Sequence, residues 1–311
     1  MTKEHLRLDM GRLDFEAPEI VTVEDPAFSR LWQWVGISFS AILIIAITRK
    51  IMDVRPAEFL NIPTDPLFWL FLIGSYLATP ASEWVIYRRL WGLPVLGFVP
   101  LLKKQITNEV VLGYLGEAQL YLWARNRTMM RTTPYGAIKD VSILSAMTGN
   151  VATLAMLALA WPFISSAKLG AGVEPVAISV SVILVSSLAV FGLRQKIFSL
   201  PNQLLWWIGQ IQFARIFISL ILLAGAWSRL LPDVAMIWIL VLAVFRLLIS
   251  RLPAFPNKDI IFAALAVFLF GSDHLIGIAI SKVAFLTLIL HIGLWFVLTV
   301  ASLKSILGAK L

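Results

Sequence analysis

The hydrophobic positions of the chain form long uninterrupted blocks that are separated by short polar loops. A membrane-spanning helix needs about 20 mostly apolar residues. By that measure, crossing helices are predicted at residues 31–48, 66–87, 140–164, 175–193, 204–227, 234–250 and 275–303. Pro80 lies inside the second of these blocks and removes a backbone hydrogen-bond donor, so a kink is predicted there.

Two further apolar blocks, at residues 92–102 and 260–271, are nearer to half a membrane in length. The first contains a Leu-Pro pair at residues 93–94, and the second follows one at 252–253. Each pair is followed by Phe, Pro and a carboxylate. Broken, polar-lined segments in an otherwise apolar protein are where membrane transporters keep their substrate sites. These two segments are therefore the first place to look for function.

Lysine and arginine near the helix ends predict the orientation, because cytoplasmic loops carry an excess of them. The basic loops alternate consistently from residue 125 onward and place the C-terminus in the cytoplasm. The stretch 92–123 would then begin and end on one face, which predicts a re-entrant hairpin. The sequence thus predicts an all-α polytopic integral membrane protein with about 7–8 transmembrane helices plus one or two short re-entrant segments. A bacterial cytoplasmic (inner) membrane is the expected location.

Composition agrees with this pattern. Hydrophobic residues make up 59% of the 311 residues and charged residues 14%, against roughly 25% charged residues in a soluble domain. Residues 1–30 contain seven acidic residues ahead of any apolar run, so we expect an acidic soluble tail and not a signal peptide. Residues 31–311 are expected to form a single transmembrane domain. The net charge of +8 fits loops that face anionic headgroups.

Several kinds of chemistry have no support in the sequence. There is no cysteine, and the three histidines, His5, His274 and His291, are not at metal-ligand spacings, so neither a metal nor another cofactor is expected. No basic cluster interleaved with aromatic residues indicates nucleic acid. Motifs for magnesium, a phosphate loop, a zinc helix or a Ser-His-Asp triad are also missing. The chain is therefore interpreted as transporter-like rather than as a recognisable enzyme.

Ionisable residues within the apolar blocks are the candidate functional residues, because each costs about 2.5 to 3.5 kcal/mol at bilayer depth. The candidates are Glu83, Glu109, Glu117, Arg215, Arg246, Asp259 and Lys282. Arg246 lies close enough to a predicted helix end to reach the interface. Gln210 and Gln212 add amide donors and acceptors on the approach to Arg215.

Arg215 and Lys282 have two interpretations. They could form buried ion pairs with Glu117, Glu83 or Asp259 that hold the helices together. Alternatively, they could hold a phosphate-bearing lipid headgroup, Arg215 through its planar fork and Lys282 as a point charge. The interpretations overlap, since a site that exchanges its carboxylate for a phosphate does both.

The two broken segments resemble those of the flippase-like family that includes the transmembrane region of lysylphosphatidylglycerol synthase. A family motif ending in Gly-Glu and followed by a basic residue resembles residues 113–119 (GYLGEAQ) with Arg125. A second motif, Pro with a Gly-rich turn, an acidic residue and an apolar helix, resembles residues 252–262 (LPAFPNKDIIF) followed by 276–285. Asn257 and Lys258 replace the Gly-rich turn. The resemblance implies a membrane domain that moves a polar lipid headgroup between leaflets.

The leading hypothesis is a lipid translocase that binds an anionic or phosphate-bearing lipid. Its predicted substrate-binding residues are Glu117, Arg215, Lys282, Asp259, Glu109, Gln210 and Gln212. One rival is a membrane-embedded lipid-modifying enzyme with Glu109 or Glu117 as base and His291 as proton shuttle. Another is a non-catalytic assembly partner that docks an unidentified protein complex. As a lone residue, His291 is more simply interpreted as a hydrogen-bonded core histidine.

Overall fold

The structure is a computed structural model. It describes residues 60–110, 114–125, 134–166, 198–251, 257–270 and 275–308, and the single positions 45, 49 and 57. The predicted tail at 1–30 and the predicted crossings at 31–48 and 175–193 lie outside the described residues, except for position 45.

The described residues form eight α-helices, which confirms the all-α prediction. They are α1 (Pro66–Trp91), α2 (Phe98–Val110), α3 (Leu115–Arg125), α4 (Pro134–Ser166), α5 (Asn202–Leu230), α6 (Met236–Ile249), α7 (Lys258–Phe270) and α8 (Leu275–Gly308). A short 3₁₀ turn, Val95–Gly97, precedes α2.

Three of the described helices are long and apolar enough to cross a membrane. The qualifying spans are Pro134–Phe163, Asn202–Leu230 and Leu275–Leu298. The predicted crossing at 234–250 is observed as α6, which has only 14 residues and is shorter than the about 20 residues that a crossing needs. The short apolar block predicted at 260–271 is described as far as Phe270, and these residues form most of the 13-residue helix α7.

Local capping signals set the ends of α1. The side chain of Asp65 accepts a hydrogen bond from the Leu67 backbone N–H at 2.9 Å, and Pro66 occupies the first helical position. At the other end Gly92 has a φ of 67°, a left-handed conformation that favours glycine, and its N–H bonds to the Arg88 carbonyl. The helix is continuous through Pro80 and is 26 residues long.

Helix α5 is central, because it packs against α1, α4, α6 and α8. Helices α1 and α5 run antiparallel along their whole length. Arg229 bonds Asp65 at one end of the pair, and the Arg89 guanidinium lies over the Trp207 ring at the other end. Between these ends Gly225 brings the α5 backbone against the Phe71 ring, since an added Cβ would lie only 3.0 Å from that ring.

Two apolar clusters lie at opposite ends of the α1–α5 pair. One gathers the start of α1, the end of α5 and parts of α6, α7 and α8 around Phe68 and Trp227. The other gathers the end of α1, the start of α5 and parts of α2, α3 and α4 around Tyr87 and Ile208. Between them the two helices present polar residues at helical spacing, which we call the polar layer: Tyr76, Thr79, Glu83, Gln212, Arg215 and Ser219.

Helices α2 and α3 form a tight hairpin that overlaps the stretch 92–123. The Asn108 side chain accepts from the Gly116 N–H at 2.7 Å and donates to Glu117 at 2.9 Å. Tyr114, just before α3, has a φ of 73°. Gly116 lies directly against the Lys104 backbone, because a Cβ added there would be 2.2 Å from the Lys104 carbonyl oxygen. This glycine therefore permits the close approach of the two helices.

We predict that Gly116→Ala destabilises the protein. The added methyl collides with backbone, which cannot move as a side chain does, and overpacking of this kind typically costs about 1 to 3 kcal/mol. A lower midpoint of thermal unfolding in detergent is expected. The matched control is Gly293→Ala, where an added Cβ meets no atom within 4 Å and the midpoint should not fall. Equal midpoints for the two variants would contradict this account of the hairpin.

The ion pair between Asp65 and Arg229 gives a pH-dependent prediction. The hydrogen bond from Arg229, and then that from the Leu67 backbone, hold the pKa of Asp65 below its ordinary value of 3.8. A depressed pKa means that the stabilisation is present at neutral pH and is lost as the pH falls through the folded-state value. Asp65→Asn should therefore lower the unfolding midpoint near neutral pH, and its effect should shrink as the pH falls below 3.8 through the folded-state pKa of Asp65. The exposed Asp233→Asn serves as control.

Candidate functional site

A polar cavity of about 190 Å³ lies at the polar layer, where six helices meet. Helices α1, α2, α5, α6, α7 and α8 all contribute lining residues. Its charged lining residues are Arg215, Arg246, Arg251, Glu109 and Asp259. Its neutral polar lining residues are Ser75, Tyr76, Thr79, Gln105, Ser219, Ser250, Thr287 and His291. Such a concentration of polar groups within apolar helices makes the cavity the candidate binding site.

Arg215, near the middle of α5, joins three helices. Its two terminal nitrogens donate to the hydroxyls of Thr79 on α1, at 3.1 Å, and of Ser145 on α4, at 3.2 Å. Its Nε is buried and has no hydrogen-bond partner among the described residues. Glu83 acts on it electrostatically but is itself bonded to Lys104. The guanidinium is therefore held in place by hydroxyls rather than by a carboxylate.

Arg251 lies two residues beyond the end of α6, and its guanidinium lies against the backbone of α4 at Gly149. A Cβ added at Gly149 would be 1.9 Å from the Arg251 Nη1, so the arginine occupies the space that any other residue at 149 would fill. Its Nε donates to the Ser250 hydroxyl at 3.2 Å. No carboxylate among the described residues forms an ion pair with Arg251.

Arg246 is the cavity arginine that has a carboxylate partner. Its Nε donates to Asp259 at 2.7 Å and its Nη2 lies 2.6 Å from the same oxygen, so the pair joins α6 to α7. Both side chains keep more than a quarter of their surface exposed. Nearby, Lys258 donates to the Ser250 carbonyl at 2.7 Å and closes the end of α6.

Glu109, at the end of α2, provides the second carboxylate of the cavity. Its backbone carbonyl accepts from the Asn257 N–H at 2.8 Å, which fixes the end of α2 to the start of α7. Its side chain lines the cavity, and no hydrogen bond joins its carboxylate to another described residue. The charges that act on it are those of Asp259, Lys258 and Arg246.

Tyr76, Gln105 and His291 form a neutral cluster where α1, α2 and α8 meet. The Tyr76 and His291 rings pack edge to face with centroids 4.9 Å apart. Gln105 donates its amide N–H to the Tyr76 carbonyl at 3.0 Å. The Tyr76 hydroxyl, the Gln105 side-chain oxygen and the His291 Nδ1 are buried and have no hydrogen-bond partner among the described residues. Buried polar atoms without a hydrogen-bond partner are uncommon in proteins, so these three atoms need an explanation.

A second group of charges lies outside the cavity lining, and we call it the ion triad: Lys104, Glu83 and Glu117. The Lys104 ammonium is 2.5 Å from Glu83 and 3.2 Å from Glu117. The Ser142 hydroxyl donates to Glu117 at 3.1 Å. The triad therefore fastens the α2–α3 hairpin to α1 and α4.

The structure divides the seven predicted substrate-binding residues. Arg215, Asp259 and Glu109 come together at the cavity. The other four, Glu117, Lys282, Gln210 and Gln212, lie outside its lining. Glu117 belongs to the ion triad, Lys282 donates to the Asn61 carbonyl at 3.0 Å, Gln210 is exposed and Gln212 is fully buried.

The interpretation in which Arg215 forms an ion pair with Glu117, Glu83 or Asp259 is wrong for the described residues. Glu83 and Glu117 form ion pairs with Lys104 instead, and Asp259 forms one with Arg246. Arg246 also faces the cavity instead of reaching only toward the interface. The reason is tertiary: helix packing brings each carboxylate nearer to these cations than to Arg215.

Three site residues escaped the sequence analysis. The sequence analysis singled out neither Lys104 nor Arg251, although Lys104 is buried and Arg251 is half-buried between helices. Tyr76 carried no signal, since a tyrosine in an apolar helix is ordinarily a packing residue. The spacing of Arg246 and Arg251 beside Asp259 is a signal that could have indicated a clustered cationic site.

No family model, curated protein or solved structure matches the chain. Within the residues that the structure describes, no three His, Asp or Glu side chains gather as a metal site. The candidate site therefore has to be argued from its own geometry.

We predict that Lys104→Met strongly destabilises the fold. Removing the ammonium leaves Glu83 and Glu117 facing each other in a buried site, and breaking a buried ion pair in this way costs about 3 to 5 kcal/mol. The double variant Glu83→Gln/Lys104→Met should recover part of the loss, because Glu117 keeps Asn108 and Ser142 as partners. Unfolding midpoints in detergent measure both effects. A double variant no more stable than Lys104→Met would contradict the triad.

Proposed function

We propose that the protein is a lipid translocase that moves a polar, phosphate-bearing lipid headgroup between leaflets of a bacterial cytoplasmic membrane. The proposal includes about 7–8 crossing helices, a re-entrant hairpin formed by α2 and α3, and a cytoplasmic C-terminus. Three long apolar helices support the membrane location. The resemblance of residues 113–119 and 252–262 to the flippase-like motifs is in line with the proposal.

The observation that carries the proposal is the arginine cluster of the cavity: Arg215, Arg246 and Arg251. Burying a charge in an apolar region is unfavourable unless it is paired. Arg215 and Arg251 have hydroxyl partners but no carboxylate partner among the described residues. An arginine at bilayer depth that forms no internal ion pair is suited to binding an anionic ligand. Its planar guanidinium fork matches the geometry of a phosphate group.

The shape of the site also suits a lipid headgroup better than a whole lipid. The cavity holds polar groups, whereas the helices around it expose large apolar side chains, such as Leu70, Ile218 and Phe268. Acyl chains can remain in the bilayer against such surfaces while the headgroup occupies the polar layer. A path through the protein would spare the headgroup the transfer through hydrocarbon, which is the barrier to spontaneous movement between leaflets.

The direct test is reconstitution in liposomes that contain headgroup-labelled lipids. The wild-type protein should transfer anionic lipids between leaflets. Arg215→Gln removes charge-assisted hydrogen bonds that are worth about 1.5 to 3 kcal/mol each, so transfer should fall roughly tenfold or more while the protein still folds. The matched control is Arg88→Gln, because Arg88 is exposed and lies over Trp84 at the end of α1.

Two results would contradict the proposal. One is the absence of transfer by the wild-type protein across a panel of anionic phospholipids and polyprenyl phosphates. The other is an equal loss of lipid transfer in Arg88→Gln and Arg215→Gln, which would show that the activity does not depend on the cavity.

A further inference from the structure

The balance of charge around the cavity restricts the kind of headgroup that fits. Counted at their formal charges and with His291 neutral, three guanidiniums and two carboxylates give the described lining one net positive charge. Widening the count to Lys258 and the ion triad adds two cations and two carboxylates. The net charge remains one positive charge. A ligand with a single negative charge would neutralise it.

The distribution of these charges is uneven across the cavity. The arginine cluster comes from α5, α6 and the turn after α6, whereas the neutral cluster comes from α1, α2 and α8. Tyr76 and His291 are only 7% and 5% exposed, yet each has a buried polar atom without a described partner. A hydroxyl group can donate to His291 Nδ1 or Gln105 Oε1 and accept from the Tyr76 hydroxyl. Uncharged hydroxyls therefore match this side of the cavity.

From these two observations we infer that the cavity binds a phosphodiester headgroup with one negative charge and an uncharged, hydroxyl-bearing end. This inference rests on the proposed function for its lipid setting and names the substrate class. The phosphate lies at the arginine cluster and the hydroxyls lie at the neutral cluster. Glu109 acts as a selectivity residue, since its carboxylate keeps the formal net charge at one and disfavours a second negative charge on the ligand.

Zwitterionic and dianionic headgroups match the charge of the cavity less well than a monoanionic headgroup does. An ammonium on the headgroup would meet a cavity that already has an excess positive charge, and like charges brought together disfavour binding. A phosphomonoester dianion would have one charge more than the cavity neutralises. A monoanion without hydroxyls would leave the neutral cluster unpaired, which strongly disfavours such analogues at sites built for hydroxyls.

The experiment measures binding of short-chain lipids to the full-length protein in detergent by titration calorimetry. The probes are dihexanoyl forms of phosphatidylglycerol, phosphatidylmethanol, phosphatidylethanolamine and phosphatidic acid. Phosphatidylglycerol should bind roughly tenfold more tightly than phosphatidylethanolamine, because the latter adds an ammonium. It should also bind roughly tenfold more tightly than phosphatidylmethanol, which has the same charge but lacks the hydroxyls.

Two variants test the charge balance and the hydroxyl contacts separately. Glu109→Gln raises the net charge of the cavity by one and should shift the preference from phosphatidylglycerol toward phosphatidic acid. Tyr76→Phe should remove much of the advantage of phosphatidylglycerol over phosphatidylmethanol and leave the discrimination against phosphatidylethanolamine intact. Arg88→Gln is the control and should bind like wild type.

Equal or tighter binding of phosphatidylethanolamine, equal binding of phosphatidylmethanol, or no binding of any probe would overturn the inference. An unchanged order of preference in Glu109→Gln would also overturn it. Because binding in detergent requires no transfer between leaflets, its outcome is separate from that of the liposome test. Lipid transfer without this binding selectivity would support the translocase and contradict the proposed headgroup class. Binding selectivity without lipid transfer would support the headgroup class and contradict the translocase.

Discussion

The pairing of charges inside an apolar frame is the constraint on which the arrangement of the helices depends. An ion moved from water into a low-dielectric interior loses several kcal/mol of solvation, so each one needs an opposite charge or hydrogen bonds. The structure places these ions in one layer between two apolar clusters. Lys104 fastens the hairpin of α2 and α3, and Arg246 fastens α7 through Asp259. The short helices are thereby positioned by charge pairs in addition to apolar packing.

The same layer contains charges of a different kind. Arg215 and Arg251 are held by hydroxyls and by the space at Gly149, and the Glu109 carboxylate is hydrogen-bonded to no other described residue. Groups that are fixed in place but lack an opposite charge are ready for a ligand, because no internal pair has to be broken first. This division between structural pairs and available groups is the basis for the proposed translocase.

The sequence predicted the three long apolar helices well and the charge pairings poorly. Hydrophobic blocks are a local signal, so α4, α5 and α8 were found within a few residues of their ends or with short extensions. Arg215, Asp259 and Glu109 were found because ionisable residues in apolar blocks are individually conspicuous. The choice of ion-pair partners depends on the antiparallel packing of α1 and α5 and on the hairpin of α2 and α3. The residue pattern of a single helix predicts neither of these. Arg251 was missed for that reason, since tertiary packing against Gly149 of α4 places its guanidinium.

The most direct measurement of the central claim is an experimental structure of the protein in nanodiscs that contain an anionic phospholipid. The account predicts density for a phosphate group at the arginine cluster, with an oxygen about 3 Å from a nitrogen of Arg215 or Arg251. A cavity without phosphate density, in which Glu109 closes on these arginines as an internal ion pair, would contradict it.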